Sequence, residues 1–171
     1  MKKIFLMLLV GSFLFSCSQK KEETTAPPKD PNQNGYTVAK SANIDLVKAF
    51  NEKAFALDTA AVRAAFAAEN DTIHDNLNKL NVSQNNALLG NLKASGFKFT
   101  IKNYGELWET INDEPTPAGV KNFVIAYIIV NVSNGKTSKD EIFHQVCAVK
   151  DGKIVEEWDV YDAKIFDELS K

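Results

Sequence analysis

The chain has 171 residues, of which 44% are hydrophobic and 25% are charged, and its formal net charge is −2. These values are typical of one globular domain. With 20 basic residues against 22 acidic ones and no long basic run, nucleic acid is excluded as the expected partner. The two histidines are far apart, and the CxxC, HxxxH, GxGxxG, Walker and GxSxG motifs are all lacking, so neither a metal nor a cofactor is expected.

The first residues have the pattern of a secretory signal peptide. Two lysines precede an apolar stretch at residues 4–15, which is too short to span a bilayer as a stable helix. The segment LFSC, which ends at Cys17, resembles the lipobox of bacterial lipoproteins, in which the cysteine is acylated. Residues 1–16 are therefore predicted to be removed, and Cys17 is expected to be lipidated. The alternative is a signal peptide with an incidental cysteine.

A lipid on Cys17 would anchor the protein in a membrane of the cell envelope while the folded domain stays in water. Ser18, which follows the cysteine, is compatible with delivery to the outer membrane. Residues 17–40 are rich in Lys, Glu, Thr, Pro and Asn and are predicted to form a flexible tether. Residues 41–171 are predicted to form the folded domain. Cys147, its single thiol, is expected to be a small buried residue, with a reactive nucleophile as the alternative.

The first part of the folded domain has the spacing of helices. Apolar residues recur at helical intervals over residues 41–69, which predicts two helices. Ser41 or Asn43 can cap the first helix, and Asp58 or Thr59 can cap the second.

Strands are predicted after a third helix. A short extended piece at residues 72–75 precedes a helix at 84–94 that Ser83 can cap, and Gly96 ends that helix. The apolar period then changes to two, which indicates strands. Segments 97–102, 123–132, 142–150 and 154–160 are the predicted strands, and 163–169 is a predicted terminal helix. Helices followed by an antiparallel meander indicate an α+β domain.

The turn Asp151-Gly152 predicts a tight hairpin between the last two strands. Lys150 then pairs with Lys153. If no bulge intervenes, His144 lies directly opposite Asp159 on one face of the sheet. A histidine and a carboxylate among apolar neighbours on one face are typical of a pocket wall.

Further residues are predicted on the same wall. If Asn134-Gly135 is also a two-residue loop, Ile125 lies beside His144 and Tyr127 beside Ile142, although a bulge or a longer loop would change this register. The expected ligand-binding residues are Ile125, Tyr127, Ile142, Val146, Tyr161 and, from the extended piece, Asp75. Trp158 is expected on the opposite face with Phe143 and Gln145. Glu156, Glu157 and Asp162 are expected to be solvated strand ends.

Three segments together resemble the NTF2-like superfamily and, within it, the SnoaL-like group of polyketide cyclase-like proteins. They read LVKAFNEKAFALDTAAVRAAFAAE, TIHDN and FHQVCAVKDGKIVEEWDVYD, and the likeness spans residues 43–162. The resemblance implies a cone in which a curved, mostly antiparallel sheet wraps around helices, with a ligand pocket at its open end. It also implies a homodimer through the outer face of the sheet.

The resemblance implies roles for individual residues as well. His144 and Asp159 match the pair that acts on the substrate in SnoaL-like cyclases, where the aspartate is a general acid. Phe50 stands where ketosteroid isomerases have a tyrosine, so steroid-isomerase chemistry is not expected, although Asp75 matches their proton-shuttling aspartate.

Three functions are compatible with these patterns, so the sequence does not decide whether the protein is an enzyme. The first is binding of a small, largely apolar molecule. The second is cyclase- or isomerase-like chemistry with Asp159 and His144, and the third is a non-catalytic scaffold for protein contacts. An open cavity of roughly 300 Å³ or more, with both groups exposed to it, would favour the first two functions, and a plugged cavity would favour the third.

Overall fold

Four helices and a seven-stranded sheet make up residues 33–170, the part of the chain that the computed structural model describes. The helices are α1 (Ala42–Phe55), α2 (Thr59–Ala65), α3 (Val82–Ala94) and α4 (Lys164–Leu169). The strands are β1 (Tyr36–Val38), β2 (Thr72–Asp75), β3 (Asn78–Asn81), β4 (Lys98–Ile111), β5 (Asn122–Ser133), β6 (Ser138–Lys150) and β7 (Lys153–Val160). The predicted α+β class is confirmed.

The strand order is β1-β4-β5-β6-β7-β2-β3, and the sheet does not close on itself. Strands β4 to β7 form the predicted antiparallel meander, in which β5 is central. Strand β2 pairs in parallel with β7 and antiparallel with β3. The parallel pairing brings the early TIHD segment beside the last strand, where it contributes to the same region of the sheet.

The first two helices begin where the sequence predicts. The hydroxyl oxygen of Ser41 accepts a hydrogen bond from the backbone of Ile44 at 3.1 Å, and Asp58 does the same for Ala61 at 3.1 Å. Each bond satisfies a backbone N–H that has no partner within the helix. Leu57 has a φ of 55°, which ends α1 and separates it from α2.

The predicted cap of α3 is wrong, since Asn81 and not Ser83 begins this helix. The Asn81 side chain accepts from the backbone of Gln84 at 2.9 Å, and the Gln84 side chain accepts from the backbone of Asn81 at 2.9 Å. This reciprocal pair satisfies two backbone donors at once, which a serine two residues later cannot do.

The folded part also begins earlier than residue 41. Strand β1 pairs with β4, and Tyr36 lies opposite Ile111. The predicted tether is therefore wrong at its last residues, because these gain backbone hydrogen bonds on the edge of the sheet. The predicted signal peptide and Cys17 lie outside the described residues. Within those residues, no helix combines the length and the hydropathy needed to cross a membrane.

The hairpin of β6 and β7 departs from the predicted register by one residue. Lys150 pairs with Lys153 as predicted, but the register shifts between Val149 and Ala148, so Val155 is an extra residue in β7. Beyond this β-bulge, Gln145 and not His144 lies opposite Asp159. A one-residue shift moves every later side chain to the other face of its strand. The predicted pairing of His144 with Asp159 is therefore wrong.

The register of β5 and β6 differs from the prediction by an even number of residues, so the faces stay as predicted. Tyr127 lies opposite His144 and Ile125 opposite Val146, because the connection at residues 134–137 is longer than two residues. We call the sheet face that carries Tyr127 and His144 the outer face. The inner face carries Gln145 and packs against the helices.

The hydrophobic core lies between the inner face and the helices. One cluster joins residues of α1 and α2, such as Val47 and Val62, to Val124 and Cys147 of the sheet. A second cluster joins α4 to the other end of β5 and β6. Burial of this apolar surface is the main term that stabilises the fold. The inner face is thus mostly sealed, which confines any open space to a limited region.

Candidate functional site

A cavity of about 90 Å³ lies between the inner face of the sheet and helices α1, α3 and α4. Its walls are mainly apolar. They are formed by Phe50, Ala54, Phe55, Leu57, Leu88, Leu89, Leu92, Phe99, Phe143 and Phe166. Leu88, which is 36% exposed, lies at the rim. The cavity is therefore an apolar recess with a side toward solvent.

One side of the cavity is acidic. Glu157 and Asp159 are two residues apart on β7, so both project from the inner face. The parallel strand β2 places Asp75 directly beside Asp159. Three carboxyl groups from two neighbouring strands therefore line the same wall.

Two neutral side chains hold this acidic wall in place. Nε2 of Gln145 donates to Oε1 of Glu157 at 2.7 Å, and the hydroxyl of Tyr161 donates to Oδ1 of Asp75 at 2.6 Å. Both donors also line the cavity. Because their hydrogen-bonding hydrogens point at carboxyl oxygens, few donors remain for a bound molecule.

Burial disfavours the charged forms of these carboxyls. Burial raises the pKa of Asp159 to about 7, although hydrogen bonds from Glu157 and Gln145 act in the opposite direction. Burial, followed by the charge of Asp159 and a hydrogen bond with it, raises the pKa of Glu157 well above its ordinary range. Glu157 is therefore the protonated partner at neutral pH, and Asp159 accepts its hydrogen bond.

The neighbouring phenol follows the same rule. Burial, followed by the hydrogen bond to Asp75 and the charges of Asp75 and Asp159, raises the pKa of Tyr161. Tyr161 stays a neutral donor across the physiological range.

The predicted site residues fall into two groups. Asp159, Asp75 and Tyr161 line the cavity. His144, Ile125, Tyr127, Ile142 and Val146 lie on the outer face, so their predicted place in a pocket wall is wrong. The His144 ring stacks on Tyr127 with centroids 4.4 Å apart, and Tyr127 stacks on Trp108 at 6.2 Å. The β-bulge at Val155 is the physical reason for this separation of His144 from Asp159.

The bulge also reverses two other predictions for β7. Trp158 lies on the outer face, where it stacks on His74 with centroids 5.2 Å apart. Glu157 is 3% exposed and is not a solvated strand end. Cys147 is a free, buried thiol on the inner face, and burial raises its pKa, so the predicted buried residue is confirmed.

Glu157, Gln145 and Asn51 also line the cavity, which the sequence did not predict. The signal for Glu157 was present, since two carboxyls at alternate positions of a strand share a face. Asn51 lies in α1 among apolar residues and is fully buried, and its carboxamide makes no hydrogen bond of ordinary geometry but lies close to the Tyr104 hydroxyl. Oε1 of Gln145 has no hydrogen-bond partner among the described residues. Among residues 33–170, no group of three or more His, Cys, Asp or Glu side chains is placed to hold a metal ion.

Comparison with known proteins identifies the fold. No protein-family model and no curated protein sequence matches the chain. Solved structures do match. An epoxide hydrolase of the LEH-like type from M. tuberculosis has a TM-score of 0.55 at 17% identity, covering 75% of this chain and 90% of its own. A candidate polyketide cyclase from Xanthomonas campestris has a TM-score of 0.58 at 17% identity, and the match covers 76% of this chain and 97% of that one.

A third match has a ketosteroid isomerase-like fold and comes from Catenulispora acidiphila, where it was crystallised with trimethylamine. Its TM-score is 0.53 at 13% identity, and the match covers 74% of this chain and 92% of that one. Identities this low establish architecture and not activity. Together with the curved, unclosed sheet and its helices, these matches show that the chain has the NTF2-like α+β fold shared by polyketide cyclases and ketosteroid isomerase-like proteins.

Proposed function

We propose that the protein binds a small, largely apolar molecule in the cavity between the inner face and helices α1, α3 and α4. The observation that carries this proposal is an apolar recess with a cluster of polar groups at one side only. Such sites use apolar walls for affinity and a few polar groups for orientation.

The size of the cavity limits the ligand. A volume of about 90 Å³ is well below the roughly 300 Å³ expected of a ligand-binding pocket. A polycyclic substrate does not fit this space, so the proposed ligand has only a few carbon atoms.

Native mass spectrometry tests this proposal. The full chain, purified from its own cell envelope, is expected to carry a small molecule of defined mass. The variant Ala54→Leu fills the cavity and should lose that mass, whereas Ala64→Leu, on the exposed side of α2, should keep it. Absence of any bound mass, or its retention in Ala54→Leu, would contradict the proposal.

A second candidate function is acid–base catalysis by Asp159. A carboxyl whose pKa is about 7 is half-protonated near neutral pH, which is the condition for an efficient general acid or base. Because His144 is on the outer face, Asp75 and Tyr161 replace it as the neighbours of Asp159. Loss of turnover in Asp159→Asn, with ligand binding retained, would support catalysis. Inactivity of the wild type on small enolisable carbonyl compounds would count against it.

Anchoring through Cys17 at the cell envelope is part of the proposal, with the outer membrane as the favoured location. It rests on the lipobox-like LFSC segment. Metabolic labelling with a fatty acid should mark the wild-type chain and not Cys17→Ser. A label that persists in Cys17→Ser would refute lipidation at this residue.

The outer face supports the prediction of a homodimer. It carries the stacked rings of Trp108, Tyr127 and His144, and also Ile142 and Val160, which are 57% and 56% exposed. Apolar surface of this kind is costly to leave in water. The dimer remains a prediction, as does a purely structural role of this face as a scaffold.

A further inference from the structure

The polar side of the cavity has more hydrogen-bond acceptors than donors. Glu157, Asp159 and Asp75 supply three carboxyl groups. One Gln145 amide hydrogen is directed to Glu157 at 2.7 Å, the Tyr161 hydroxyl is directed to Asp75 at 2.6 Å, and Gln145 also interacts with Asp159, so these donors are already engaged by carboxyls. The remaining polar atoms are mostly oxygens with free lone pairs. A ligand that fits this wall has to donate hydrogen bonds.

The Gln145 side chain shows that this wall lacks hydrogen-bond partners. Gln145 is 3% exposed, and its Oε1 has no hydrogen-bond partner among the described residues. Asn51 is fully buried on the opposite wall, where its carboxamide makes no hydrogen bond of ordinary geometry but lies close to the Tyr104 hydroxyl. Buried polar atoms are nearly always paired in native proteins, so unpaired ones that line a cavity point to a bound molecule.

The cavity also lacks a countercharge. Among its lining residues in the described part of the chain, none is Lys, Arg or His, whereas three are acidic. The apolar walls include the aromatic rings of Phe50 and Phe143, whose faces attract cations. A positive charge inside the cavity would therefore interact favourably with both its acidic and its aromatic walls.

We infer that the ligand is a small protonated amine whose ammonium group contacts Glu157, Asp159 and Gln145 and whose alkyl body fills the apolar recess. This inference rests on the proposed function and adds the chemical class of the ligand. The ammonium supplies the missing donors and the missing charge together. No covalent step is involved.

Binding of such a cation depends on the ionisation of the carboxyl pair. The titratable groups that face the pair are Asp75 from β2, Tyr161 after β7 and the thiol of Cys147 from β6. Helices α1 and α3 contribute the uncharged side chains of Asn51 and Asn85. Ionised Asp159 favours the cation, so affinity should be high at pH 8 and should fall as Asp159 takes up a proton.

Two probes of equal shape test the inference on the full chain by isothermal titration calorimetry. The tert-butylammonium ion is charged at both pH 5 and pH 8, as a lysine side chain is. The alcohol tert-butanol is neutral but keeps the same body and one donor. We expect the ammonium ion to bind at least tenfold more tightly than the alcohol at pH 8, as charge-assisted hydrogen bonds imply. That advantage should shrink by about tenfold or more at pH 5.

Variants locate the effect. The change Asp159→Asn, or the pair Glu157→Gln and Asp159→Asn, should abolish the preference for the cation, whereas Asp151→Asn at an exposed turn should keep it. The change Ala54→Leu should abolish binding of both probes. Thermal denaturation of each variant shows whether it is folded, and the comparison of the two probes on the wild type needs no variant.

The possible outcomes distinguish a failure of the amine inference from a failure of the proposed function. Equal affinity for the two probes, with both lost in Ala54→Leu, would overturn the amine inference while supporting small-molecule binding. A preference that persists unchanged in the Asp159→Asn variant and at pH 5 would also overturn it, because the cation would then bind elsewhere. Binding of neither probe overturns the amine inference, and the mass carried by the purified chain then decides the proposed function separately.

Discussion

Replacing Asp159 by asparagine should stabilise the protein at pH 8. The pKa of this carboxyl rises from an ordinary value of 3.8 to about 7, mainly because it is buried. The folded state therefore prefers the protonated form. The stability contributed by this group is fully present below the unfolded pKa and is lost as the pH rises through the folded pKa.

The size of the effect follows from the shift. About three pKa units at roughly 1.4 kcal/mol each give a ceiling of about 4 kcal/mol at pH 8. Asp159 keeps some solvent exposure, so we expect the measured gain in Asp159→Asn to be about 1–3 kcal/mol. The asparagine carbonyl can still accept the hydrogen bond from Glu157, so that contact is retained.

Urea denaturation at pH 5, 6, 7 and 8, followed by the fluorescence of Trp108 and Trp158, measures this gain. The difference in unfolding free energy between Asp159→Asn and the wild type should grow between pH 5 and pH 8. The matched control is Asp151→Asn, at an exposed turn position with a φ of 51° that asparagine also accepts. Its difference from the wild type should stay flat. Parallel pH profiles for Asp159→Asn and the wild type would refute the reasoning.

Three further predictions concern other parts of the fold. Glu109 is buried, and burial raises its pKa, but hydrogen bonds from Ser41, Asn43 and Asn122 outweigh this effect and lower the pKa overall. Glu109→Gln should therefore lower the free energy of unfolding by about 1–3 kcal/mol at pH 7. Stability from a depressed pKa is present above the unfolded pKa and is lost as the pH falls through the folded pKa, so the unfolding free energies of Glu109→Gln and the wild type should converge in acid. Acid titration followed by circular dichroism checks this. A difference in unfolding free energy that stays constant with pH would contradict it. The buried thiol of Cys147 should react with a thiol reagent only as fast as the protein unfolds, and reaction at the rate of a free thiol would show an opening that the fold does not contain. Ile142→Lys on the outer face should convert the expected dimer to a monomer in sedimentation velocity, while Lys139→Ala should not; a wild type that is monomeric at all concentrations would dismiss the dimer.

The sequence predicts the architecture well because its signals are local. The caps at Ser41 and Asp58, the change of period after Gly96 and the Asp151-Gly152 turn each act within a few residues, and all are found in the structure. Strands β1 and β3 were missed because each has only a few residues and depends on pairing with a distant strand.

The site was predicted only in part, for a different physical reason. The position of Asp159 and Asp75 beside each other depends on a parallel pairing of β2 with β7 that no local pattern specifies. The bulge at Val155 lies in a stretch of ordinary strand residues, IVEEW, that carries no glycine or proline to announce it. Because of this one extra residue, the carboxamide of Gln145 lies opposite Asp159 where the imidazole of His144 was predicted.

The bulge at Val155 decides which side chains of β7 face the recess. If Val155 paired regularly with β6, every later residue would change face, so Trp158 would turn inward while Glu157 and Asp159 turned outward beside the histidine-bearing face. The same backbone would then enclose an indole where it now encloses an acid pair. Related sequences whose last strand has the same length but pairs without this bulge are therefore expected to share the architecture and yet select different small molecules, so their ligands cannot be transferred from one to another by overall similarity.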